Sequence, residues 1–159
     1  MGVTRLNHAV LFVRDAEAAA DFYGRVFGFR NLGAPPGMRA AFMRAEGTDN
    51  HHDLGLFEVG PDAMKPPRGS VGLYHLAWEV ETIEDLARMS QTLREARALT
   101  GTSDHGVSKS LYGMDPDGNE FEIMWMLPRA QWGGYDSSAP VAPLDLPAEL
   151  SRWSGVSTA

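Results

Sequence analysis

RLNHAVLFVRDAEAAADFYGRVFG, residues 5–28, is answered further along the chain by GLYHLAWEVETIEDLARMSQTLRE, residues 72–95. At a constant offset of 67 residues, Leu6 falls on Leu73, His8 on His75, Val13 on Val80 and Glu17 on Glu84. Each copy reads as a strand, an N-cap candidate (Asp15 or Thr82) and an amphipathic helix. The first helix sets Ala18, Phe22 and Val26 at helical spacing and stops at Gly28; the second sets Leu86, Met89 and Leu93. Three strand-like runs follow each helix: FRNLGA, MRAAFMRA and HDLGLFEV in the first half, ARALTGTS, VSKSLYGM and NEFEIMW in the second.

The order is therefore βαβββ twice, an α+β chain. Residues 1–60 form the first module, 61–71 a Pro- and Gly-rich linker, 72–127 the second module and 128–159 a C-terminal arm. One copy alone would leave the inner face of its sheet bare. Two copies facing each other would close a cup with the helices outside. In the first strand His8 shares a face with Leu6, Val10 and Phe12, while Asn7, Ala9, Leu11 and Val13 point the other way. Apolar residues on both faces predict a sheet covered on both sides. The arm is rich in Pro, Gly, Ser and Ala. Trp132, Tyr135 and Trp153 should anchor it against the sheet or a neighbouring subunit, with a short helix over PAELSRW and an irregular end.

Composition narrows the function. At 159 residues, 43% hydrophobic and 22% charged, the chain suits one soluble domain with a real core. A net charge of −7 argues against a general nucleic-acid binder or a binder of anionic membranes. No run is long enough to span a bilayer, and MGVTRLNH lacks the apolar core of a signal peptide, so the cytoplasm is expected. The absence of cysteine rules out disulfides, thiolate metal sites and a cysteine nucleophile.

None of the five histidines lies in a helix or in the arm. His8 and His75 hold matching strand positions, so pseudo-symmetry sets them at one level of the cup. In the last strand Glu120, Glu122, Met124 and Met126 share a face, and Phe121, Ile123, Trp125 and Leu127 take the helix side. Two imidazoles and one carboxylate then give His8, His75 and Glu122, a ligand set suited to a redox metal with open positions. Glu120 is the rival carboxylate but adjoins the turn, where water reaches it. The symmetry mate of Glu122 is Gly55, so a fourth side-chain ligand is missing, which leaves room for substrate and a second small molecule on the metal. A single strand histidine is more often a satisfied core or surface residue; here three residues coincide with the repeat.

With these residues in view, the paired βαβββ units, NHAVLFVRDAEAAADFYGRVFGF and YGMDPDGNEFEI resemble the vicinal oxygen chelate superfamily over residues 4–127. Within it, HGVSKSLYGMDPDGNEFEI resembles the signature of type I extradiol ring-cleaving dioxygenases, through His105, Leu111, Tyr112, Asp115, Pro116, Gly118 and Glu122. Ser103 departs from that signature. The resemblance implies that His8, His75 and Glu122 hold iron(II), with manganese(II) also accepted by this set. It implies His52 as acid/base histidine, and His105 and Tyr112 as hydrogen-bonding partners of bound substrate. It implies a small aromatic diol and O2 as reactants, and the aromatic-bearing arm suggests a homo-oligomer. Trp78 and Phe57 are candidate pocket walls, and His51 has at most a pocket contact. Two alternatives stay open: a glyoxalase-like lyase or epimerase using a metal without redox chemistry, and a metal-free drug-binding module.

Overall fold

The structure, a computed structural model, describes residues 2–67, 69–138 and 140–157; the last residues of the arm's irregular end, 158 and 159, lie outside them. The chain separates into two compact units, Met1–Val71 and Gly72–Ala159.

The first unit runs β1 (Ala9–Val13), α1 (Ala16–Phe27), β2 (Arg30–Asn31), β3 (Ala40–Arg44) and β4 (Leu54–Glu58). Its sheet order is β1-β4-β3-β2, with β1 parallel to β4 and the other pairs antiparallel. Helix α1 begins where Asp15 accepts hydrogen bonds from the Glu17 and Ala18 amides at 2.9 Å, and ends at Gly28, whose φ of 72° a side chain would strain. The helix packs on β3 and β4. Its buried stripe is Ala16, Ala19, Ala20, Phe22, Tyr23 and Val26, whereas Ala18 is exposed. Counting in fours from Phe22 lands on Ala18, but 3.6 residues per turn carry that position off the buried face. Leu11 and Val13 are buried on the helix side, while Val10 and Phe12 on the opposite face stay 51% and 73% exposed. On β1 cover is thus found on the helix side, against the expectation of cover on both faces, although Gly55 of β4 is buried on the opposite face.

The second unit repeats the pattern with β5 (His75–Glu79), α2 (Ile83–Glu95), β6 (Leu99–Asp104), β7 (Ser108–Met114) and β8 (Glu120–Met126), in the order β5-β8-β7-β6. Thr82 caps α2 through the Asp85 amide at 3.1 Å. Leu86 and Leu93 are fully buried and Met89 half-buried. The registers equate the two sheets: Val10 pairs with Gly55 in the first and Ala77 with Glu122 in the second. Gly55 and Glu122 are therefore structural counterparts.

The β7–β8 hairpin turns on Asp115, whose carboxylate accepts from the amides of Asp117 and Asn119 at 2.9 and 2.8 Å. That local bonding is why Asp-Pro-Asp-Gly closes a hairpin here. Phe121, Ile123 and Trp125 are buried on one face of β8, and Glu122 points to the other. Gly113 allows this packing, since a Cβ there would lie 2.5 Å from the Phe121 ring and 2.8 Å from the Ala98 carbonyl oxygen. Gly113→Ala is expected to destabilise the second unit by roughly 1–3 kcal/mol through overpacking. Urea denaturation should read this as a lower midpoint with an unchanged slope.

After β8 the arm forms two short 3-10 turns and then α3 (Leu146–Trp153). It is seated on its own unit. Trp132 donates from Nε1 to the Leu127 carbonyl at 2.8 Å, and Trp153 packs on Trp125 with ring centroids 6.0 Å apart. Buried Lys109 lies 2.6 Å from Asp104 and 3.4 Å from Glu149 of α3, so an ion pair ties the arm to β6 and β7. Among the described residues no helix is long and apolar enough to cross a membrane.

Candidate metal and active site

In the second unit strand alternation puts His75, Glu122 and Tyr112 on the face away from α2. His75 Nε2 lies 3.1 Å from Glu122 Oε2. The Tyr112 hydroxyl lies 3.3 Å from Glu122 Oε1 and 2.8 Å from His105 Nε2. These four side chains form a continuous polar chain, His75–Glu122–Tyr112–His105. Glu122 is buried, where a carboxylate loses hydration, and its partners offset only part of that cost. Glu120 pairs in register with His75 but is only half-buried, so Glu122 is the carboxylate that His75 meets. Burial first, then the neighbouring Glu122 carboxylate, pushes Tyr112 up to about 12, so its hydroxyl stays protonated.

The first unit carries a second cluster. The rings of His8 and His52 have centroids 4.5 Å apart, and His52 meets Phe42 edge-on at 5.0 Å. His8 Nδ1 lies 2.9 Å from the side-chain oxygen of Asn7. Asn7 in turn donates to Asn50 at 3.0 Å, and Asn50 donates to buried Asp53 at 2.8 Å. Asp53 also accepts from the Ala45 amide at 2.8 Å, closing the loop that presents His51 and His52. Asn7 was expected to face away from His8. It precedes the first residue of β1, so strand parity does not govern its side chain. The Asn7–Asn50–Asp53 relay was missed because short polar residues in a loop leave no periodic signal.

Burial, then the charges of His8 and His51, hold the His52 pKa below the ordinary histidine value, which favours the neutral ring. His51 Nδ1 lies 3.1 Å from His52 Nδ1. A cavity of about 360 Å³, walled by Leu32, Pro35, Phe42, His51 and His52, opens beside them. Phe57 lies on the His8 face and contacts Phe42 with centroids 5.9 Å apart. Trp78 alternates with His75 and so faces the helix side, away from the site.

The donor chemistry suits a divalent metal. Two lone-pair-bearing atoms 3.1 Å apart, His75 Nε2 and Glu122 Oε2, need a proton or a cation between them. With Nδ1 of His8 held by Asn7, its Nε2 is the free donor, the arrangement seen around metal-bound histidines. His75 Nδ1 is buried without a hydrogen-bond partner among the described residues, which departs from that arrangement. The structure thus brings together His75, Glu122, Tyr112 and His105 in one unit and His8 with His52 in the other. Among the described residues no group of three or more His, Asp or Glu side chains is arranged to hold a metal ion.

Comparison with known proteins follows the same lines. A family model described as "Glyoxalase/Bleomycin resistance protein/Dioxygenase superfamily" matches residues 5–123. The chain is 35% identical over 130 residues to a catechol-2,3-dioxygenase of Bacillus subtilis (strain 168), covering 81% of this chain and 44% of that protein. It is 34% identical over 122 residues to biphenyl-2,3-diol 1,2-dioxygenase 3 of Rhodococcus globerulus, covering 75% and 62%. It therefore spans between 44% and 62% of the length of these relatives. Among solved structures, a glyoxylase/bleomycin resistance protein/dioxygenase domain from Frankia sp. EAN1pec superposes with TM-score 0.65 at 23% identity, covering 79% of this chain and 94% of that one. The fosfomycin resistance protein FosX from Listeria monocytogenes superposes with TM-score 0.61 at 16% identity, covering 79% and 96%.

Proposed function

The chain belongs to the glyoxalase/bleomycin resistance protein/dioxygenase superfamily, and from that membership we propose that it is an iron(II)-dependent extradiol dioxygenase that opens the ring of a small aromatic diol with O2. The observation that carries this reading is the His75–Glu122–Tyr112–His105 chain, which supplies a ligand pair and a hydrogen-bonding pair on one sheet face. The dioxygenase names of the relatives at 34–35% identity support it.

In this reading His8, His75 and Glu122 would hold the metal. Iron(II), when bound, supplies a template for both reactants and a path for electrons between them. The protein's own groups do the rest. Neutral His52 takes a proton from the diol, a role that suits an imidazole whose uncharged form is favoured. Tyr112 stays protonated, so its oxygen can accept a hydrogen bond from a substrate hydroxyl without titrating. His105 holds the Tyr112 hydroxyl in place at 2.8 Å. The apolar wall of Leu32, Pro35 and Phe42 beside His52 suits the aromatic ring or an apolar substituent on it.

Gly55 separates this reading from a lyase or epimerase. As the register counterpart of Glu122 it offers no fourth side-chain ligand, which favours a site that binds two reactants. A Cβ at Gly55 would come 3.3 Å from Val10, so the position is closely packed as glycine.

The test is oxygen uptake by protein reconstituted anaerobically with Fe(II), against a panel of substituted catechols, with the visible-absorbing product followed in parallel. Uptake matched by product supports the proposal. Stoichiometric iron with no uptake on any diol would remove it in favour of the lyase or epimerase class. In the active protein Tyr112→Phe is expected to lower kcat about 100-fold, the order of losing one preorganised hydrogen-bonding group. Its iron content should be unchanged, as measured by steady-state kinetics beside metal analysis.

A further inference from the structure

Both ring nitrogens of His105 are engaged, and one partner belongs to the arm. Nδ1 lies 2.9 Å from the Pro140 carbonyl oxygen, and Nε2 lies 2.8 Å from the Tyr112 hydroxyl. A carbonyl oxygen only accepts, so Nδ1 must carry the hydrogen, and the neutral ring then has its lone pair at Nε2. We propose that the C-terminal arm is a positioning element of the active site: the Pro140 carbonyl locks His105 as the Nδ1–H tautomer, which draws the Tyr112 hydrogen towards His105 and away from Glu122. The catalytic meaning rests on the function proposed above; the tautomer itself does not.

The consequence follows from hydrogen-bond arithmetic. Tyr112 has one hydrogen and two acceptors in reach, His105 Nε2 at 2.8 Å and Glu122 Oε1 at 3.3 Å. With a lone pair at Nε2 the hydrogen goes to the nearer acceptor. The phenolic oxygen then turns its lone pairs to a substrate hydroxyl, and Glu122 keeps both oxygens for a cation. In the other tautomer Nε2–H would donate to Tyr112 and drive the phenolic hydrogen onto Glu122. The lone pair on Nδ1 would also face the Pro140 oxygen at 2.9 Å, which is repulsive.

The arm grips His105 from both sides. Asp104, just before it, exchanges two backbone hydrogen bonds with Ala142, at 2.8 and 2.9 Å. Gly106, just after it, lies under Tyr135, and a Cβ at Gly106 would come 2.6 Å from that ring. Further out, Lys109 and Glu149 hold the arm electrostatically and Trp153 holds it by packing. A chain end that only covered the sheet would not need to bracket one histidine in this way.

The test is long-range 1H–15N NMR of the full-length protein labelled with ring-15N histidine, without added metal, well above the ordinary histidine pKa of about 6.5. The His105 signals are assigned by their loss in His105→Gln. One Nδ1–H tautomer at His105 is expected. The arm's grip is then loosened by Ala142→Pro, which lacks the amide that bonds Asp104, combined with Tyr135→Ala; Trp153 and the core are untouched. His105 in this double variant should give an averaged or Nε2–H pattern. A wild-type Nε2–H or averaged pattern would overturn the proposal even if the variant fails to fold. A folded double variant that keeps the wild-type pattern would overturn it too. No turnover enters the spectrum, so absence of ring cleavage would count against the proposed reaction and leave the tautomer result standing.

Discussion

Glu122→Gln should abolish stoichiometric iron binding and lower ring cleavage more than about 100-fold, beyond the usual effect of losing a group that only orients a ligand. The same variant should leave the metal-free fold at least as stable as the wild type. Both expectations come from one fact: Glu122 is 8% exposed, on the sheet face away from the helix, with His75 at 3.1 Å and Tyr112 at 3.3 Å. An ionised carboxylate so placed gives up hydration that a single imidazole and a phenol only partly restore, so it burdens the empty fold. The isosteric amide removes the charge and keeps the volume. If the carboxylate were there for the fold, Glu122→Gln would lower the melting temperature and cost little else. Metal analysis after anaerobic reconstitution, kcat on the best diol and a thermal melt of the metal-free variant separate the two cases. Iron at wild-type stoichiometry in Glu122→Gln would end the assignment of Glu122 as a ligand.

How far the sequence led depended on which force placed each group. The strand–cap–helix units were legible because N-caps and alternation are local: Asp15 and Thr82 cap their own helices, and Trp125 and Glu122 part by strand parity. The hairpin at Asp115 was legible for the same reason, its carboxylate bonding amides two and four residues on. Parity misled where no strand existed, at Asn7, and helical counting misled at Ala18 near the first turn. The relay through Asn50 and Asp53 to the His52 loop could not be read, because the bonds that tie it to Asn7 join positions 43 residues apart through uncharged amides. The Pro140 carbonyl is the extreme case: a backbone oxygen meets a ring nitrogen 35 residues away, and no residue type announces it. Local chemistry thus marked the candidate ligand and hydrogen-bonding residues, while the groups that orient them came from the tertiary structure.

Trp125→Ala should cost the second unit roughly 3–5 kcal/mol, the range for deleting a fully buried aromatic side chain. A drop in melting temperature of roughly 6–20 °C would accompany it for a chain of this size. Trp125 is fully buried beneath the face that carries Glu122, and its ring supports Trp153 of α3. Truncation therefore opens a cavity under the site strand and removes the floor on which the arm rests. Trp125→Phe should cost much less than the lost area suggests. Trp125 Nε1 is buried with no hydrogen-bond partner among the described residues, so the indole carries a desolvated donor that phenylalanine lacks. The order of stability is then wild type near Trp125→Phe, and both well above Trp125→Ala, as read by urea midpoints. Because His105 is held from the arm, Trp125→Ala should also release its tautomer while Trp125→Phe keeps it. Equal losses in the two variants would mean that the indole nitrogen has a partner and that the packing account of the arm's seat is wrong.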